Sequence, residues 1–153
     1  AAQKARAFSE STAELAHKLR LPQPQAVSTA LEFPQNMVSL SDAELGEHLT
    51  HWASLTGYAE HKAAILRGTL IKAKAQYEEE FAVRCVTRAD SSTSKTKMIV
   101  AAQDIMRKLG QIVTDLEADL TVLEALAKGY DRKYQALSRE VTRRGHESGR
   151  QNK

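Results

Sequence analysis

Six basic residues carry the chemistry this sequence offers most openly. Lys72 and Lys74 alternate with Ile71 and Ala73, and Tyr77 follows within a turn; Arg84, Arg88, Lys95 and Lys97 punctuate a polar segment rich in Ser and Thr. Cations among hydroxyl groups are suited to phosphate oxygens. A track of such cations beside aromatic rings is the pattern of single-strand nucleic-acid binders. The plainer role for the same charges is solubility, together with matching the negative end of a helix dipole. Tyr77 and Phe81 are the nearest aromatics, and both read as core residues. The acidic run Glu78-Glu79-Glu80 interrupts any continuous track on one protomer, so binding is expected at rims formed by several copies.

Other chemistry is sparse. Glu44, Glu47, His48 and His51 fall at steps of three and four, which is metal-capable spacing on a helix. Solvated side chains at a helix start account for them better, because metal ligands need a closed and supported shell. Cys85 has cations nearby that would favour its thiolate, but no surrounding signature marks a nucleophile, so an incidental or buried thiol is the default. Glycine-rich phosphate cradles and serine-elbow patterns are absent from the sequence. The expectation is a non-enzymatic protein with no cofactor and no metal.

The elements that would position these residues are two long helices. Residues 42–86 and 94–143 repeat apolar residues at alternating steps of three and four, the pattern of an antiparallel, coiled-coil-like α-helical hairpin. Ser41-Asp42-Ala43-Glu44 is a capping box, with Leu40 and Leu45 placed as its hydrophobic staple. The first seam runs Leu45, Leu49, Trp52, Thr56, Ala59, Ala63, Leu66, Leu70, Ala73, Tyr77. Leu55, Tyr58, Ile65, Ile71 and Phe81 widen it, which points to more than one packing partner and so to a homo-oligomer or a docked N-terminal segment. The second helix is expected to open at Thr93 or Ser94. Its seam runs Met98, Ala102, Ile105, Leu109, Ile112, Leu116, passes a stutter at Leu120, and resumes through Leu123, Ala127, Tyr130, Tyr134, Leu137 and Val141. Gly145 and Gly149 are expected to end it, leaving 145–153 as a mobile basic tail.

Ahead of the hairpin (41–144), residues 1–40 read as a short helix over 3–20 and a strap over 22–40. Pro22 and Pro24 stop the helix. Val27, Leu31, Phe33, Met37 and Val38 make the strap too apolar for a spacer, so it should dock on this chain or on a neighbouring copy. The fold class is therefore all-α, a helical hairpin with an N-terminal helix and extended strap.

At 153 residues the chain fits a single domain. Its net charge of +3 is unevenly spread: the loop over 84–97 has four basic residues against the one acid Asp90, while 41–83 has four against seven. A basic patch attracts phosphate backbones or acidic protein surfaces. No run approaches the roughly 18 consecutive apolar residues of a membrane span. Arg6, Glu10, Glu14 and Lys18 break up any export signal, so a cytoplasmic location and no membrane partner are expected. The single Cys85 rules out an internal disulfide and is compatible with a reducing compartment.

Over about residues 45–144 the order of parts resembles the UvsY-type phage recombination mediators. The likeness consists of a Trp-bearing first helix (Trp52), a Lys-rich stretch, a polar loop, and a second helix opening Lys97-Met98-Ile99-Val100-Ala101-Ala102-Gln103-Asp104-Ile105. Ile71-Lys72-Ala73-Lys74 is similar to the family's basic Leu-Lys-Ala-Arg segment. The resemblance implies a helical homo-oligomer in a bacterial host cell that binds single-stranded DNA and helps load a recombinase onto strands coated by a single-strand-binding protein, with Lys72 and Lys74 among the DNA contacts. Against that stands a structural assembly protein, a virion or scaffold component whose hairpin and strap make protein–protein contacts.

Overall fold

A computed structural model of the chain describes residues 31–88 and 93–151. The expected helix over 3–20 and the strap up to residue 30 lie outside the described residues, as do the last two residues of the tail. Three helices account for 88 % of what is described, and no strand occurs among these residues. They are α1 (Asp42–Thr87), α2 (Thr93–Ala101) and α3 (Asp104–Gln151). The long helices α1 and α3 pack against each other as an all-α hairpin.

α1 begins where the capping box places it. Ser41 N–H donates to Glu44 Oε2 (2.8 Å), the Glu44 N–H donates to Ser41 Oγ (3.3 Å), and the Ser41 hydroxyl also donates to Glu44 Oε2 (2.7 Å). These bonds satisfy donors that the first turn leaves without helical partners. They also hold the Glu44 carboxyl below the usual carboxylate range. Leu40 packs into the same cluster as Leu45, as a staple should.

The chain divides into two compact units, each with its own stretch of α1 and α3. In the unit formed by 31–62 and 123–151, Leu45, Trp52, Leu55 and Leu137 make the core, with Phe33, Met37, Leu40, Leu49, Tyr130 and Tyr134 packed against it. Trp52 is the hub. Phe33 meets it edge-on at 5.8 Å, Tyr130 lies at 5.9 Å, and Lys133 Nζ sits 4.2 Å from its ring centroid. Residues 33–40 thus dock on their own chain through Phe33 and Met37, a choice between this chain and a neighbouring copy that the sequence leaves open.

In the unit that contains Ala63–Val122, the antiparallel register is read from three contacts. Lys74 pairs with Glu117, Tyr77 lies 3.6 Å from where a Cβ on Gly110 would stand, and Arg84 bonds Gln103. Ala63, Leu70 and Ala73 are buried on the α1 side, and Val100 and Met106 on the other.

Two expectations fail here. The second helix is not continuous from residue 94, because the chain turns at Ala102 and Gln103. There Ala102 N–H still reaches Met98 O (3.1 Å), but Gln103 N–H tightens to Val100 O (3.1 Å). Val100 and Met106 are six residues apart, which an unbroken helix would put on different faces. The break re-phases the chain so that both are buried, and the expected seam residues Met98 and Ile105 end up 75 % and 43 % exposed. Nor does the helix end at Gly145; α3 runs to Gln151. Arg143 bridges back to Glu140 (2.7 Å) and forward to Glu147 (2.6 Å), and these i,i+3 and i,i+4 pairs support turns that glycine alone would weaken.

Candidate nucleic-acid interface

The six basic residues do not form one surface. Lys72 and Lys74 are exposed on flanks to either side of the buried Ala73, since residues two apart on a helix point away from each other. Lys74 Nζ is 2.6 Å from Glu117 Oε1, so it already ties α1 to α3. Arg84 is more committed still: its Nε donates to Glu80 Oε1 (2.6 Å) and its Nη1 to Gln103 Oε1 (2.7 Å). It anchors the turn between α2 and α3.

Arg88, Lys95 and Lys97 are exposed. Arg88 follows the last residue of α1, and its N–H continues the helical pattern to Arg84 O (3.1 Å). Lys95 and Lys97 lie in the opening turns of α2. That helix differs from its neighbours in carrying no acid in its first turn, where α1 has Asp42 and Glu44 and α3 has Asp104. Its positive dipole end, the exposed Thr93 and Ser94, and the lysines together form an anion-favouring environment. Lys74 and Arg88, fourteen residues apart, are separated by about 21 Å along the helix axis. The exposed cations thus stand at three places: Lys72 and Lys74 on separate flanks of α1, Arg88 just past its end, and Lys95 and Lys97 in the opening turns of α2.

The aromatics beside this region serve packing, as the sequence suggests. Tyr77 and Phe81 stack at 6.2 Å with planes 8° apart, both half-buried, and Tyr77 covers Gly110. Cys85 is a half-buried free thiol. Among the described residues no group of three or more His, Cys, Asp or Glu is placed to hold a metal ion. His48 and His51 are not the solvated side chains expected near a helix start. Each is half-buried and turns one ring nitrogen into the packing, and no hydrogen-bond partner for that nitrogen occurs among the described residues.

Sequence reasoning missed Arg144. Its Nη1 donates to Asp42 Oδ1 (2.7 Å), its Nε to Glu140 Oε1 (2.9 Å), and its Nη2 to the carbonyls of Leu40 (2.8 Å), Met37 (3.0 Å) and Val38 (3.3 Å). One guanidinium clasps the strap, the start of α1 and the last turns of α3. Glu140, only 8 % exposed, takes hydrogen bonds from both Arg143 and Arg144, which hold its carboxyl down at about 2. The available signal was Glu140 spaced three and four residues before two arginines, at the end of a hairpin that an antiparallel fold returns to residue 42.

In comparisons with family models, curated proteins and solved structures, nothing matches the chain. Among the described residues no helix is long and apolar enough to cross a membrane.

Proposed function

We propose that the protein is a non-enzymatic single-stranded DNA-binding mediator of recombination or repair that assists recombinase loading. The observation that carries this reading is the exposure of Lys95 and Lys97 at a helix start that has no acid in its first turn, with the exposed Arg88 five residues before that start in sequence. Flexible cations and hydroxyls grip phosphates without reading bases, and a mediator that must act on any strand needs that tolerance. Arg84 contributes by holding the turn rather than by contacting DNA. Lys72 and Lys74 add charge along α1, with Lys74 exchanging Glu117 for a phosphate when DNA is bound.

The structural assembly reading has one observation in its favour, the exposed apolar side of α1, where Ile71 is 63 % and Val86 79 % exposed. Fluorescence anisotropy with an unstructured oligonucleotide, titrated at low and moderate salt, separates the two. Salt-sensitive binding supports the mediator. A folded protein that leaves the oligonucleotide free at low salt supports the assembly component.

A further inference from the structure

The side of α1 turned half a circle away from Leu70, Ala73 and Tyr77 has no packing partner among the described residues. Ala64, Gly68, Ile71, Ala75, Glu79, Ala82 and Val86 lie along it at the three- and four-residue steps of a heptad seam, with Glu79 its one charged member. Six of them are exposed and Gly68 is half-exposed. Small residues at this spacing let two helix backbones approach to the short end of the usual 8–10 Å interaxial range. A run with Ile71 and Val86 open to water is also the kind of patch that marks an interaction surface.

The charges along the same helix say what covers it. From residue 63 to 75 the ionic residues are Arg67, Lys72 and Lys74, with no acid; from 76 to 83 they are Glu78, Glu79 and Glu80, with no base. The sign reverses just past Ala75. A second α1 laid alongside in parallel would set lysine on lysine and glutamate on glutamate. Laid antiparallel about Ala75, it sets each basic half on the other's acidic half. In that register Ala64 faces Val86 of the second copy, Gly68 faces Ala82, Ile71 faces Glu79, and Ala75 faces itself. Lys72 and Glu79 fall on the same flank and meet across the axis. A two-fold interface requires this reciprocity, residue i on j and j on i.

We propose that the outer face of α1 between residues 64 and 86 is a self-association surface, on which a second copy of this chain packs antiparallel about a two-fold axis through Ala75. The inference does not depend on the DNA reading: Arg88, Lys95 and Lys97 lie beyond the interface, and Lys72 is the one interface residue that the DNA reading also uses.

Three measurements on the full chain test it. Light scattering should give at least twice the 16.9 kDa chain mass, and Ala75→Glu should halve it while the circular dichroism spectrum stays helical. In a Cys85→Ser background, Ala75→Cys should cross-link to a disulfide dimer on mild oxidation, because facing residues at a close helix crossing come within the roughly 7 Å Cα separation a disulfide allows; Ala118→Cys, exposed on α3, should not. Lys72→Glu and Glu79→Lys should each weaken the dimer by roughly tenfold, as like charges come to face each other. The double variant should restore it, since the swapped charges again meet their opposites. A monomer at tens of micromolar, equal cross-linking at Ala118, or a double variant weaker than either single one would overturn the proposal.

Discussion

At the residue scale, Leu137 and Arg144 join 31–62 to 123–151 in two different ways. Leu137 is fully buried in a cluster built by α1, and Leu137→Ala should cost about 2–5 kcal/mol in chemical denaturation, the range for large-to-small core changes. Arg144 works differently, by collecting one carboxylate from each long helix and three strap carbonyls. Glu140 makes that arrangement pH-sensitive. Its folded pKa, about 2, lies below the ordinary value of 4.5, so the stability it contributes is complete above pH 4.5 and is lost as pH falls toward 2. Melting temperature should therefore fall through that window, and Glu140→Gln should flatten the fall while lowering stability at neutral pH. Seam residues such as Leu45, Trp52 and Leu137 were legible from heptad spacing alone. Arg144 was not, because all its partners except Glu140 are more than a hundred residues away in sequence and three of them are main-chain carbonyls that no side-chain pattern encodes.

At the element scale, helix starts were easier to read than breaks. Ser41 and Glu44 announce α1 through a local motif, and Ser41→Ala should cost about 1 kcal/mol. Thr93 as the start of α2 also follows from the polar loop before it. The interruption at Ala102–Gln103 is hidden, since Met98, Ala102, Ile105 and Leu109 continue an unbroken heptad on paper. Tertiary packing decides there: Val100 and Met106 are the residues buried, and Arg84 holds Gln103 from the facing helix. Arg84→Ala should therefore loosen α2, seen as faster amide exchange at 98–103 with little change over 45–62. The strap gives a second test. Arg144→Ala removes its clasp, so amides over 37–40 should exchange faster and Trp52 fluorescence should shift as Phe33 loosens, while total helicity is kept. Unchanged exchange would mean that Phe33 and Met37 hold the strap unaided.

At the scale of the whole molecule, the proposed function rests on the distribution of charge. Lys74 is drawn into an ion pair with Glu117, and Arg84 into one with Glu80 and a hydrogen bond to Gln103; Glu80 is one turn away in sequence, but Glu117 and Gln103 become neighbours only on folding. The proposed polyanion site draws on the exposed Arg88, Lys95 and Lys97. Each phosphate neutralised on a single strand should contribute about −0.7 to the slope of log affinity against log salt. The most direct test is therefore a salt series of anisotropy titrations with an unstructured single-stranded oligonucleotide, comparing the wild type with Arg88→Ala/Lys95→Ala/Lys97→Ala. The wild type should bind with a steep negative slope, and the triple variant should bind more weakly with a slope shallower by about 2, at unchanged helicity. Equal affinity and equal slope for the two proteins, or no binding by the folded wild type at low salt, would contradict the account.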